Sequence, residues 1–181
     1  MVEVPQRDPS YADDNLIWID MEMTGLQPEV NRVIEVAAII TDKNLNILHE
    51  GPVIAIRQDR SVIDGMDAWN TETHTKSGLV KRVLESTVDE EEAAKRFVEV
   101  FRRYVPEEEP DVRQHDRAGP PLHGALDARN GALLPLPLDR RLDLKELARR
   151  WAPDKVWVGT KSTKHQALSD IAESIEELRH Y

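Results

Sequence analysis

The stretch LIWIDMEMTGL, from Leu16 to Leu26, combines an apolar run with two acidic residues, Asp20 and Glu22. Its aliphatic and aromatic residues are typical of a β-strand, in which alternate side chains point to the same face. The two carboxylates therefore lie on one face, with Cα atoms about 6.5–7 Å apart. Because like charges on a buried strand are costly unless a cation lies between them, this pattern indicates a cation site.

The composition favours one domain that lies outside the membrane. The 181 residues are enough for one domain with a core and too few for two. We predict a single domain over 15–181 and a short disordered lead over 1–14, without the features of a signal peptide. No run of about 18 apolar residues occurs, so we expect no membrane span. The absence of cysteine suits a cytoplasmic protein.

The net charge of −10 argues against a protein that coats long nucleic acids by releasing their counterions. It leaves open a nuclease, because a cleft that holds divalent cations can meet a few phosphates while the outer surface stays acidic. The charge therefore limits the length of any nucleic-acid track on the protein.

The rest of the chain predicts a layered α/β fold with a mixed sheet. We expect two more antiparallel strands, from Val33–Ile40 and from 45–56, and four helical regions, over 61–86, 87–105, 142–153 and 164–181. The stretch TDKN, residues 41–44, is a turn signal between these two strands. Thr87 and Glu90 match a capping box at the start of the second helical region. A parallel strand should follow Tyr104, but the sequence there does not provide a convincing one.

Two residues near the end of the chain complete a candidate constellation. Asp170 opens the last helix, and His165 precedes it by five residues. Carboxylates from separated segments suit Mg²⁺ or Mn²⁺, and two such ions can promote phosphodiester hydrolysis with a histidine as the base. Each part has a simpler explanation, since Asp20 and Glu22 could end a strand and the later pair could cap a helix.

Seven short motifs make the chain resemble the oligoribonuclease family of DEDD-type 3′–5′ exonucleases. These motifs are IWIDMEMTGL, RVIEVAA, LNILHEGP, MDAWN, HTKSGL, LKELARRW and HQALSDI. The resemblance covers residues 15–106 and 143–181. It implies an RNase H-like mixed sheet, with three antiparallel strands and further parallel strands flanked by helices.

The resemblance also implies a reaction and its partners. It makes Asp20, Glu22 and Asp170 the ligands of two divalent cations, Mg²⁺ or Mn²⁺, and His165 the general base. The substrates would be oligoribonucleotides of a few nucleotides, down to dinucleotides, and the family's homodimeric state would apply to this chain.

Three further residues would bind the substrate by the same resemblance. Leu26 would form a wedge between the bases, Trp69 would stack on one of them, and His74 would contribute a further contact. Such a clamp suits short substrates, because stacking contributes about 1–3 kcal/mol per base without a long basic track.

One segment, residues 107–142, departs from the family. Members carry a second motif after the position of Pro106, approximately C-G-N-S-I-G-Q-D-R-R-F, whose Asp is the fourth carboxylate. Here six of the eleven prolines fall between Pro106 and Pro137, which is unusual for a buried strand and helix. The sequence leaves open whether this segment folds or is disordered.

We interpret this segment as translation in a shifted reading frame. From Glu109 onward, the last two bases of each codon and the first base of the next permit S-P-M-C-G-N-T-I-G-Q-D-R-R-F-M in unbroken order. The missing Asp then falls between Gly119 and Pro120, and Asp116 is not expected to replace it. The shift is either an error in the nucleotide sequence or a mutation of the gene. We therefore expect weak or no activity from the chain as written.

Two other functions stay open at this point. One is a proofreading or tRNA-trimming exonuclease of the wider group, which would prefer longer substrates. The other is a catalytically inactive member of the fold that binds nucleotides or forms dimers.

Overall fold

The computed structural model describes residues 6–27, 30–106, 126–127, 132–133, 152–157 and 167–181. Its elements in chain order are β1 (Leu16–Met23), β2 (Val33–Thr41), β3 (Ile47–Ala55), α1 (Arg60–Asp64), α2 (Ala68–Lys76), α3 (Leu79–Glu85), α4 (Glu90–Phe101), β4 (Leu126–Asp127), β5 (Ala132–Leu133), one 3₁₀ turn (Pro153–Lys155) and α5 (Ala167–His180). None of the described helices is long and apolar enough to cross a membrane.

The three antiparallel strands predicted from the sequence are confirmed. They form one sheet in the order β1–β2–β3, and β4 and β5 form a separate antiparallel pair. The predicted parallel strands lie outside the described residues, as does the helix predicted over 142–153 apart from its last two residues. Within the departing segment 107–142, for which the sequence leaves folding or disorder open, only residues 126–127 and 132–133 belong to the described part.

One face of the sheet packs on α4. The odd-numbered residues of β1 and alternate residues of β2 meet the buried face of this helix, which is formed by Ala93, Phe97 and Phe101, and the side chain of Tyr104 just after the helix. Burial of a large apolar side chain such as Phe97, which is 1% exposed, contributes about 1.5–3 kcal/mol. Packing on α4 therefore fixes β1 from one side, and the even-numbered residues of β1 point away from the helix.

The opposite face of the sheet packs on α5. Ala37 and Ile39 of β2 contact Ala167, Ile171 and Ile175 of the helix in a separate buried cluster. Spacings of four residues place the three helix residues on one side of α5, as an amphipathic helix requires. This packing holds the first turn of α5 over the face that carries the even-numbered residues of β1.

A β-bulge lies near the beginning of β2. Glu22 pairs with Glu35, but the next residue, Met23, pairs with Val33, so Ile34 is an extra residue in β2. The Ile34 side chain enters a third cluster, which includes Leu79 and Val83 from α3. The bulge therefore connects the sheet with the short helices between β3 and α4.

The predicted capping box at Thr87 is wrong. The N-cap residue of α4 is Asp89, whose side chain accepts a hydrogen bond of 2.9 Å from the backbone N–H of Glu92. Asp89 has an extended backbone, and its short carboxylate reaches the free N–H three residues ahead. Thr87 and Asp89 each have a glutamate three residues later, so the capping-box pattern alone does not distinguish them.

Part of the predicted disordered lead is ordered against α4. The backbone N–H of Asp8 donates to the carbonyl of Arg103, and that of Ala12 donates to the carbonyl of Tyr104. The side chain of Asn15 donates to the same Tyr104 carbonyl, at 2.9 Å. Residues 6–14 thus satisfy carbonyls that a helix end leaves without partners, which a polar segment can do without an apolar pattern. Residues 1–5 lie outside the described part.

Candidate metal centre

Strand β1 presents Asp20 and Glu22 on the face that is covered by α5. Asp20 pairs with Ala37 of β2, and Glu22 pairs with Glu35. Residues that pair directly in an antiparallel sheet point to the same side, so the side on which Ala37 meets α5 also carries both acids. The spacing of two residues therefore places both carboxylates on one face of the strand, as the sequence indicated.

Helix α5 brings the third acid to this place. Asp170 lies in the first turn of the helix, and Asp20, Glu22 and Asp170 each offer a carboxylate oxygen within 4.8 Å of the others. All three residues are half-buried. The structure therefore brings together three of the four residues that were predicted for the reaction. The fourth, His165, lies outside the described residues.

Burial and the neighbouring acids raise the proton affinity of Glu22. Burial, followed by the negative charges of Asp20, Asp170 and Glu35, raises the pKa of Glu22 from its ordinary value of 4.5 to about 7. Burial and like charges both disfavour the ionised carboxylate. A divalent cation would remove this repulsion, and carboxylate oxygens are the ligands that Mg²⁺ and Mn²⁺ prefer. The donor set therefore fits the cations that the sequence predicted.

We expect the affinity of the centre for Mn²⁺ to rise as the pH increases from about 6 to about 8, because a ligand must lose its proton to bind the metal. With a pKa of about 7, Glu22 is mostly protonated at the lower pH and mostly ionised at the higher pH. Calorimetric titration in two buffers with different ionisation enthalpies measures the affinity and the released protons. Binding that is equally tight at both pH values, without proton release, would contradict the expectation.

The same shift has a defined effect on the protein without metal. A folded-state pKa of about 7 against an ordinary 4.5 means that the folded protein binds more protons than the unfolded one between these values. The stability of the metal-free protein should therefore decrease as the pH rises through this range, since the unfolded state binds fewer protons there.

Two residues that the sequence interpretation did not single out lie beside the centre. Glu35 is 1% exposed, and its carboxylate accepts a hydrogen bond from the guanidinium of Arg82 on α3 in an ion pair. The sequence could have identified Glu35 as a candidate, because an acid inside the β-branched run VIEVAAII is as unusual as Asp20 in its own strand. Nothing in the pattern of α3 identified Arg82 as its partner.

Two of the predicted substrate-binding residues are exposed. Leu26 is 71% exposed and Trp69 is 61% exposed, which is high for large apolar side chains. Leu26 lies in a loop held by paired hydrogen bonds of 2.9 Å between Thr24 and Arg32. Gly25 permits this loop, because an added Cβ there would come within 2.7 Å of the Asn31 side chain. Both residues are thus presented to solvent by ordered backbone.

His74 is placed differently from the other two. It is 1% exposed, and its Nε2 lies 3.1 Å from the carbonyl oxygen of Met23, directly after the bulge. The ring therefore ties α2, which carries Trp69, to the end of β1 that carries Glu22. Its direct contact with a substrate stays a prediction.

Comparison with known proteins gives the same assignment as the motifs. The chain matches the RNase T-type exonuclease family over residues 17–178. It is 47% identical to an oligoribonuclease of Chromobacterium violaceum over 176 residues, which cover 93% of each chain. It is 46% identical to an oligoribonuclease of Halorhodospira halophila over 179 residues, which cover 94% of each chain.

Among solved structures, an exonuclease I from Methylocaldum szegediense is 26% identical, with a TM-score of 0.40, over 48% of this chain and 18% of that one. The family match, together with the antiparallel sheet and its flanking helices, confirms the α/β fold of the RNase H-like class. The chain belongs to the exonuclease family and, at this identity and coverage, to its oligoribonucleases, which confirms the assignment to the 3′–5′ exoribonucleases.

Proposed function

We propose that this exoribonuclease acts on RNAs of a few nucleotides and removes mononucleotides from their 3′ ends. The observation that carries the proposal is the convergence of Asp20, Glu22 and Asp170, whose oxygens lie within 4.8 Å of one another. Separated segments supply these acids. Burial, followed by the repulsion from the neighbouring acids, raises the pKa of Glu22, and a cation would relieve that repulsion. Clusters of acids with perturbed pKa values are typical of functional sites.

The three carboxylates would hold two divalent cations, Mg²⁺ or Mn²⁺. When bound, such cations supply activation of a water molecule and stabilisation of the leaving oxygen of the phosphodiester. His165 would take the proton of the attacking water, since an imidazole with a pKa near neutrality can act as a general base. Asp20 and Glu22 are fixed by the strand ladder, and Asp170 is fixed by the packing of α5.

The exposed apolar residues favour short substrates. Leu26 follows Glu22 by four residues, and the contact between His74 and Met23 ties the helix of Trp69 to the same strand end. Leu26 would form a wedge between two bases and Trp69 would stack on one of them, and stacking on an aromatic side chain contributes about 1–3 kcal/mol per base. Binding of this kind needs no long basic track, in agreement with the net charge of −10.

One observation favours the alternative that the chain as written is catalytically inactive. The position at which the family has its fourth carboxylate falls between Gly119 and Pro120, and neither is an acid. We propose that the chain as written is impaired for this reason, whereas the frame-corrected product has the family activity.

Substrate length separates the short-RNA activity from a proofreading or tRNA-trimming one. We expect the frame-corrected protein with Mn²⁺ to hydrolyse a 5′-labelled dinucleotide at least about tenfold faster than the terminal bond of a long single strand. Leu26 and Trp69 would engage two bases, and the further phosphates of a long strand would meet a protein with a net charge of −10. Product separation on denaturing gels measures both rates. Excess chelator should abolish hydrolysis of both substrates. Faster cleavage of the long strand would favour the rival, and cleavage that survives the chelator would exclude the two-metal mechanism.

The assembly and the location are further parts of the proposal. We propose a homodimer in the cytoplasm, on the basis of the family resemblance. Sedimentation of the frame-corrected protein tests the first part, and a monomer at micromolar concentration would contradict it.

A further inference from the structure

A buried carboxylate lies directly behind the metal centre. Glu35 pairs with Glu22 across the β1–β2 ladder, so the two side chains point to the same side of the sheet. In such pairs the Cβ atoms are about 4.5–5.5 Å apart, which is within the reach of two glutamates.

Glu35 is nevertheless not part of the three-acid group. The oxygens that lie within 4.8 Å of one another belong to Asp20, Glu22 and Asp170. The carboxylate of Glu35 instead receives the guanidinium of Arg82, a residue of α3. The Glu35 side chain is 2% exposed, while that of Arg82 is 42% exposed, so the arginine reaches inward from the surface.

A buried carboxylate needs a compensating cation. Removal of one partner of a buried ion pair leaves a charge that is neither solvated nor neutralised, which is strongly unfavourable. The guanidinium of Arg82 is the cation that meets Glu35, and a divalent cation held at Glu22 would be the alternative. The observed ion pair assigns Glu35 to the arginine.

We propose that Arg82 is a positioning residue of the metal centre, which holds Glu35 away from the cations and so limits the ligand set in this part of the chain to three acids. The inference rests on the proposed function, because it requires divalent cations at Asp20, Glu22 and Asp170. Arg82 acts through Glu35. Its role differs from that of a structural arginine, because its loss should change the metal affinity in a defined direction.

The consequence for the reaction follows from the charge of the ligand set. Glu35 would be an additional carboxylate beyond the four acids of the family site; it would bind the same cations more tightly and reduce their ability to polarise a water molecule or an oxygen of the phosphodiester. The ion pair thus keeps affinity for the cations lower and their Lewis acidity higher.

The test is a Mn²⁺ titration of the full chain, followed by the electron paramagnetic resonance signal of the free ion. We expect Arg82→Met to bind Mn²⁺ at least about tenfold more tightly than the wild-type chain, because ligand charge count tunes the affinity of oxygen sites over orders of magnitude. The matched double variant Arg82→Met/Glu35→Gln should return to within about threefold of the wild type, since it has no extra carboxylate to offer. Arg82→Lys keeps the positive charge and should also resemble the wild type.

Each outcome decides the inference. Unchanged or weaker binding by a folded Arg82→Met variant overturns it, as does equal tightening in the double variant. If Arg82→Met is unfolded without metal, the inference requires that Mn²⁺ restores its folding at concentrations below those that saturate the wild type. Failure of this rescue overturns the inference.

The control variant Asp20→Asn separates this inference from the proposed function. Wild-type binding that is lost in Asp20→Asn, together with no tightening in Arg82→Met, overturns only the role of Arg82. A wild-type chain that takes up no Mn²⁺ overturns the proposed function and the inference with it.

Discussion

Asp20→Asn should abolish hydrolysis of a 5′-labelled dinucleotide in the frame-corrected protein and weaken Mn²⁺ binding by more than about a hundredfold. The estimate is a lower limit, because groups that only orient metal ligands already contribute about 10–100-fold to affinity. Asp20 is fixed by the ladder opposite Ala37, and one of its oxygens lies within 4.8 Å of those of Glu22 and Asp170. The amide removes the charge with almost no change in volume.

The same substitution should stabilise the protein without metal. Asp20 is one of the charges that raise the pKa of Glu22, so the amide lowers that pKa and removes repulsion above about pH 7. Thermal unfolding at pH 8 with chelator should therefore show a higher Tm for the variant. Loss of activity with increased stability distinguishes a removed ligand from a damaged fold.

Glu99→Gln is the matched control, because it changes the net charge equally at an exposed position of α4, on the opposite side of the sheet. It should leave Mn²⁺ binding and hydrolysis unchanged. Full activity of Asp20→Asn, or an equal loss in Glu99→Gln, would contradict the assignment of the centre.

Restoration of the reading frame over 107–142 is expected to raise kcat/KM on a dinucleotide by at least about a hundredfold relative to the chain as written. The physical reason is the return of a fourth carboxylate to a site that has three, since each ligand fixes the number and geometry of the cations. Hydrolysis of the 5′-labelled dinucleotide with Mn²⁺, at equal protein concentrations, measures the ratio.

A second variant of the repaired protein separates the carboxylate from the repaired fold. Replacement of the restored Asp, which falls between the present Gly119 and Pro120, by Asn should remove most of the gain. Equal activity of the chain as written and the repaired protein would refute the prediction. An unshifted nucleotide sequence across these codons would refute the frame interpretation itself.

The features that the sequence predicted depend on local periodicity. Alternation in β1 placed Asp20 and Glu22 on one face, and the apolar pattern over 164–181 predicted the last helix, which buries Ile171 and Ile175. Both are properties of consecutive residues. The convergence of Asp170 with β1 required the packing of α5 on β2, which the pattern indicated only through the family resemblance.

The features that were missed depend on contacts between distant parts of the chain. Glu35 was read as part of a core strand, because its partner Arg82 lies 47 residues away and on a helix with no distinctive pattern. The ordered lead was missed because Asp8 and Ala12 bind backbone carbonyls, which every residue has. At α4, Thr87 and Asp89 both fit an N-cap pattern, and it is Asp89, with its extended backbone, that forms the cap.

Because Ile34 is an extra residue in β2, the number of residues in this strand determines which side chains face the metal centre. Because successive side chains alternate, deletion of one residue between Val33 and Ala37 would turn either Glu35 or the apolar residues around it toward the wrong side of the sheet. Enzymes built on this centre can exchange isoleucine, valine and alanine along the strand with little effect on the cations. They cannot shorten or lengthen it without changing which acids face them.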